Sequence, residues 1–172
     1  VLFRSIMQML DVGAGDRPEE ISHSGNIVID SLINHAYAAA QKDNVQFNVN
    51  VLVPASLPFE SGHLAIVLGN LLENALEACR NIPDEKGFIS LDISYAKDIF
   101  QLCIKNNYQA KRKKDIIGHY ITTKGDNIYH GLGLSSINHA IENYHGQMDI
   151  TDNDNIFQVI IVMYGSYSEN AK

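Results

Sequence analysis

The chain has 172 residues, 45% of them hydrophobic and 19% charged, with a formal net charge of −7. That is enough for one domain with its own core. The acidic balance argues against nucleic-acid binding as its main business, because such domains are usually basic. No apolar run reaches the roughly 18 to 20 residues that cross a bilayer, and no signal peptide is visible. Cys79 and Cys103 lack metal-like spacing and lie inside apolar patterns, so they read as small core residues of a protein kept in a reducing compartment.

Residues 1–11 read as the end of a helix, with Ile6, Met9 and Leu10 on one face, broken by the Gly and Pro of "DVGAGDRPEE". "GNIVIDSLINHAYAAAQ" predicts a helix whose apolar stripe is Ile29, Leu32, Ile33, Ala36 and Ala40. "VQFNVNVLV" alternates and predicts a strand with one buried face, ended by Pro54 and Pro58. "SGHLAIVLGNLLENALEACRN" predicts a long helix that stops before Pro83. "GFISLDISYA" and "FQLCIKN", joined through "KD", predict a hairpin. Residues 107–130 show no periodicity and are too long for a passive connection, which points to a functional lid. "LGLSSINHAIENYHG" predicts a third helix closed by Gly146 at C′, and "QMDIT" and "IFQVIIVMY" predict two strands around a "DNDN" turn. Strand pairs separated by helices predict a two-layer α/β (α+β) sandwich: a mixed, mostly antiparallel sheet with three main helices on one face.

Four features carry candidate chemistry. Asn70 and Asn74 stand one helical turn apart and project side by side. They are either core-edge amides bonded to backbone or a cation site, since Mg²⁺ takes oxygen ligands and leaves room for phosphates and water. Glu73 and Glu77 fall on or near the same face, where each orients water or a neighbouring ligand, or is simply solvated. "HGLGL", residues 130–134, is either a phosphate seat at a helix N-terminus or a flexible helix start with Ser135 as N-cap. Lys124 in "TTKGD" is either a mobile charge for a γ-phosphate or a solvated loop lysine, and the run Lys111 to Lys114 reads as solvated charge. Asn106 ends "LCIKN", where it either reads a base edge or simply terminates a strand.

Taken in order, "NLLENALEA", "KNN", the long loop and "GLGL" resemble the GHKL ATPase superfamily with its Bergerat ATP-binding fold, over about residues 45 to 164. "SGNIVIDSLINHAYAAAQ", "NVQFNVNV", "LGNLLENALEAC" and "TTKGDNIYHGLGLSSI" narrow the likeness to sensor histidine kinases of the peptide-pheromone quorum-sensing receptor type. The resemblance implies an ATP-binding catalytic domain of a two-component system that moves the γ-phosphate of ATP, with Mg²⁺, to a histidine. By that resemblance Asn74 is the metal ligand and Asn70 its companion near the phosphates. Glu77 lies beside them. Asn106 takes the adenine-contacting place, and Thr123, Lys124, His130, Gly131, Leu132, Gly133 and Leu134 line the phosphates.

Two departures shape the expectation. The wider superfamily has D-x-G-x-G where this chain reads "NNYQA". An aspartate only accepts hydrogen bonds, whereas the Asn106 amide also donates and, flipped, pairs with guanine. Adenine selectivity is therefore expected to depend on neighbours that fix the Asn106 rotamer. Nor does any of the seven histidines lie in a phosphoacceptor hairpin. That hairpin is expected upstream, so the chain alone binds nucleotide without autophosphorylating. The expected division is 1–24 as hairpin remnant or linker, 25–166 as the catalytic domain and 167–172 as a tail. The resemblance also implies partners: the chain's own dimerisation helices in a homodimer, and a response regulator, with no nucleic acid. It implies a cytoplasmic place in a bacterial receptor anchored to the membrane by an N-terminal region outside this chain. The rival readings are a hydrolytic GHKL ATPase, an anti-sigma-type serine kinase and a degenerate nucleotide-binding module. The first implies a glutamate where Asn70 stands.

Overall fold

The computed structural model of the chain describes residues 19–80, 82, 87–109, 113–114, 120–121 and 131–165. Its elements are α1 (Ile27–Lys42), β1 (Gln46–Leu52), α2 (Ser61–Arg80), β2 (Phe88–Ala96), β3 (Ile99–Asn107), β4 (Lys113–Lys114), β5 (Tyr120–Ile121), α3 (Gly131–Glu142), β6 (Gln147–Asn153) and β7 (Ile156–Tyr164). Five strands form one sheet in the order β1-β2-β3-β7-β6. β1 and β2 are parallel and joined through α2, and every other pair in this sheet is antiparallel. The fold is the expected α/β sandwich.

Alternation sets the core face of each strand. Phe100, Leu102 and Ile104 of β3 and Phe157, Val159, Ile161 and Met163 of β7 are buried, and they join Ile29, Ile33, Val67, Leu71 and Ile137 of the helices in one cluster. α2 lies in the middle of the helix layer, packed against both α1 and α3. The predicted stripe of α1 is the buried one. Cys79 is buried, but Cys103 is a correction: it sits on the outer face of β3 and is only half-buried. The period of two sends position 103 away from the side that carries Leu102 and Ile104.

The turns hold further corrections. Gly146 is not the left-handed residue that closes α3; His145 is, at φ 49°. His145 N–H donates to Glu142 C=O and Gly146 N–H to Ile141 C=O, which completes a Schellman motif with Gly146 one position later. Gly146 is required there for closeness, since a Cβ would lie 2.6 Å from Ile141 Cβ. Asn44, at φ 54°, closes α1 in the same manner. Each hairpin turns through two residues with positive φ, Lys97-Asp98 and Asp154-Asn155, so "DNDN" belongs half to strands. The segment 107–130 is not wholly aperiodic, because β4 and β5 within it pair antiparallel. Ser135 is no N-cap, since α3 begins four residues earlier at Gly131.

The leader before α1 is tied to that helix. Asn34 Oδ1 accepts from the backbone N–H groups of Ile21 and Ser22. Asp30 accepts from Ser22 Oγ, from Ser24 through both N and Oγ, and from Gly25 N. Among the described residues no helix is long and apolar enough to cross a membrane.

Candidate functional site

α2 displays its polar residues on a helix packed on both flanks, and the flanks differ. Asn70 and Asn74 are half-buried and turn toward α3. A Cβ placed on Gly133 would sit 3.5 Å from Asn70 Oδ1 and 3.9 Å from Asn74 Nδ2. Gly133 therefore sets the first turn of α3 against the asparagine pair. Its backbone N–H groups have no partner within the helix, and the positive end of the helix dipole sits there. Asn70 Nδ2 donates to Ile66 C=O at 2.7 Å, one turn back. That bond fixes the amide and commits its donor end, leaving Oδ1 on the Gly133 side.

The far end of α3 is fixed as well. Glu60 N–H donates to the Tyr144 hydroxyl at 2.9 Å, and that hydroxyl lies 2.8 Å from His63 Nδ1. The Tyr144 ring packs edge-on against Phe59 with centroids 4.9 Å apart. Since Tyr144 follows α3 and His63 opens α2, this contact sets how the two helices diverge toward the asparagines.

Glu77 follows Asn70 by two turns, about 20° from it around the helix, and so stands at the edge of the same face. It lines a groove of ≈ 200 Å³ between α1 and α2 together with Glu73, His35 and Arg80, over a floor that includes Ala36 and Gly69. Burial, and then the charge of Lys42, lower the pKa of His35. Asn106 is not the exposed strand end the sequence suggests. It lies within β3 on the core face, 3% exposed, and its Nδ2 donates to Asn107 C=O at 3.0 Å. Thr123, Lys124 and His130 lie outside the described residues. Gly131, Leu132, Gly133 and Leu134 form the start of α3. Among the described residues no three His, Cys, Asp or Glu side chains converge as a metal cluster.

Residues 60–164 match the family model described as the GHKL domain. The chain belongs to the GHKL domain family. The matched segment runs from the start of α2 to the end of β7 and so contains both walls of the Asn70–Gly133 cleft. Solved structures of similar fold include the catalytic domain of histidine kinase ThkA, at 21% identity and TM-score 0.61, covering 81% of this chain and 95% of that one. The mycobacterial sensor histidine kinase MprB is 15% identical with TM-score 0.55, over 79% of this chain and 95% of its own. The Acinetobacter baumannii histidine kinase AdeS is 12% identical with TM-score 0.56, over 96% and 76%. At these identities the likeness is one of fold. The comparison with curated proteins gave no match.

Within this GHKL domain, the structure brings Asn70, Asn74 and Gly133 together, and Glu77, farther along the same helix, also lines the groove toward α1. Sequence reading missed Asn107, whose Oδ1 accepts from Phe88 N–H at 2.7 Å and so holds the end of β3 to the start of β2. The asparagine doublet was the available signal. It missed Tyr144 too, for which the sequence offers nothing beyond an aromatic after a helix.

Proposed function

We propose that this GHKL domain binds ATP with Mg²⁺ in the α2–α3 cleft and is the catalytic domain of a two-component sensor histidine kinase. The γ-phosphate goes to a histidine on a dimerisation hairpin, and a response regulator is the onward acceptor. The observation that carries this is the seating of Gly133 against Asn70 and Asn74. A chain of phosphates needs an open helix start with donors on one side and hard oxygen ligands on the other. The residues present fit Mg²⁺. Asn70 Oδ1 faces Gly133, Asn74 faces it through Nδ2 and would offer its oxygen with the amide turned over, and neither adds negative charge beside phosphates. The metal supplies charge neutralisation for phosphoryl transfer.

The chain's own part is positioning. Asn70 and Asn74 hold the polyphosphate end, the backbone N–H groups of Gly131 to Leu134 bind phosphate oxygens, and Asn106 receives the base. By the family resemblance Lys124, Thr123 and His130 serve the γ-phosphate end. Glu77, beyond Asn70 on nearly the same line of the helix, orients water at the edge of the cleft. Transfer is favoured over hydrolysis because the residue one turn before Asn74 is Asn70. An amide whose Nδ2 is engaged with Ile66 C=O offers no base for activating water.

The motif strings around 25–42, 70–78 and 122–137 support the peptide-pheromone quorum-sensing receptor type, with residues 25–166 as the catalytic domain, 1–24 as linker or hairpin remnant and 167–172 as tail. The protein would act as a homodimer at the cytoplasmic face of a bacterial membrane receptor. Titration calorimetry tests the site: ATP should bind in the presence of Mg²⁺. Asn74→Ala should abolish the Mg²⁺-dependent part while the domain still melts cooperatively. Absence of heat with ATP and Mg²⁺ on folded protein would overturn the reading. Supplied with γ-labelled ATP and the hairpin, the domain should place the label on histidine rather than release it as free phosphate.

A further inference from the structure

Asn106 and Asn107 adjoin at the end of β3, and their amides are held by different partners. Asn106 is one of three buried polar residues among those described, with Ser22 and Asn26. An amide has a donor end and an acceptor end, and which end faces a ligand decides which ligand is taken. Asn106 Nδ2 is committed to Asn107 C=O at 3.0 Å. Among the described residues nothing donates to Asn106 Oδ1, and no enclosed side-chain oxygen lacks a partner, so this oxygen keeps a path out of the core.

The carbonyl that holds Asn106 is itself held. It belongs to the peptide between Asn107 and Tyr108, whose N–H donates to Asn155 C=O at 3.0 Å in the turn between β6 and β7. The peptide is trans, so its C=O points opposite to that N–H. Asn107 Oδ1 accepts from Phe88 N–H at 2.7 Å, which ties the same residue to β2. β2 and the β6–β7 turn therefore fix one carbonyl, and that carbonyl fixes the Asn106 amide with its oxygen free.

We propose that Asn107 is a positioning residue that locks Asn106 acceptor-outward and so makes the base pocket choose a purine with an exocyclic amine at C6 over one with a carbonyl there. Adenine donates its amine to Oδ1. Guanine presents O6 to Oδ1, acceptor against acceptor. A carboxylate at this place would need no lock, because both of its oxygens accept. The inference rests on the α2–α3 cleft being the nucleotide site.

Calorimetry with the Mg²⁺ complexes of ATP, purine riboside triphosphate (which has no C6 substituent) and GTP tests it. Affinity should fall in that order, with ATP at least about 100-fold tighter than GTP, because a buried acceptor facing an acceptor loses a hydrogen bond and gains repulsion. Asn107→Leu removes the acceptor for Phe88 N–H. It should narrow the ATP:GTP ratio to below about tenfold and tighten GTP itself, as the loosened amide turns over. Asn107→Asp keeps an acceptor and should restore the ratio. Structural damage alone would weaken both nucleotides in parallel, and that result would overturn the proposal. Should Asn107→Leu fail to fold, the smaller Asn107→Ala decides: it too removes the acceptor for Phe88 N–H and should narrow the ATP:GTP ratio, and a ratio unchanged from wild type would overturn the lock. Wild-type protein that binds ATP and GTP equally removes this inference alone; wild-type protein that binds no nucleotide removes the site reading and the inference together.

Discussion

Gly133 is the residue on which the cleft turns. A helix interior normally disfavours glycine by about 1 kcal/mol relative to alanine, and here the position faces two amides with ordinary contact distance to spare. Gly133→Ala should therefore keep the melting temperature or raise it, because the new methyl meets Asn70 Oδ1 no closer than 3.5 Å. The same methyl occupies the space between the asparagines and the first turn of α3. Affinity for ATP with Mg²⁺ should fall by about tenfold or more, from the lost approach of phosphate to backbone N–H groups. Thermal melting and calorimetry on one preparation separate the two effects; a parallel loss of stability and binding would mean that the glycine serves packing only. Gly146 is the contrasting case. It too lacks a side chain for reasons of space, but its neighbours are Ile141 and the Val162 carbonyl, and no ligand is involved.

At the scale of elements, the leader-to-α1 clamp is the feature the chain pattern least prepares for. Burial by itself would raise the pKa of Asp30. Hydrogen bonds from Ser22, Ser24 and Gly25 outweigh it, and the carboxyl is held below its usual range. A carboxylate with a depressed native pKa favours the folded state at pH values above its unfolded pKa, and that contribution disappears as pH falls through the native value. Chemical-denaturation curves of wild type and Asp30→Asn should thus differ most above the ordinary carboxylate range and converge as pH falls through the lowered native value. A difference that stays constant across that window would assign the clamp to the serine hydroxyls instead. The turns follow a related logic. Asn44 and His145 adopt left-handed backbone at helix ends without glycine, because the Schellman hydrogen bonds and the packing of the following residue offset the strain.

For the whole molecule, one core cluster joins all three helices to the sheet, so folding should be a single transition. Leu102 lies on the central strand at 1% exposure. Leu102→Ala should lower stability by about 2–5 kcal/mol. Well below the melting temperature it should leave nucleotide affinity unchanged, because the cleft is built on the α2–α3 flank rather than on the core face of β3 at that position. Urea unfolding followed by calorimetry at low temperature checks both.

Periodicity alone was enough for the sandwich: α1, α2 and the β2–β3 hairpin stand within a residue or two of their predicted places, because each buries one face and the spacing of apolar side chains reports that face directly. The Asn70–Asn74 pair was legible for the same reason, as two polar residues interrupting an apolar stripe. What local sequence could not decide is which flank of α2 meets which neighbour. The approach of Gly133 to the asparagines, the burial of Asn106 and the half-burial of Cys103 on the outer face of the sheet all depend on how elements distant in the chain pack. The grip of Asn107 and Tyr108 on the starts of β2 and β7 is of the same kind. Such contacts arise from sheet order and helix packing, and the residues that make them carry no mark of it among their neighbours in the chain.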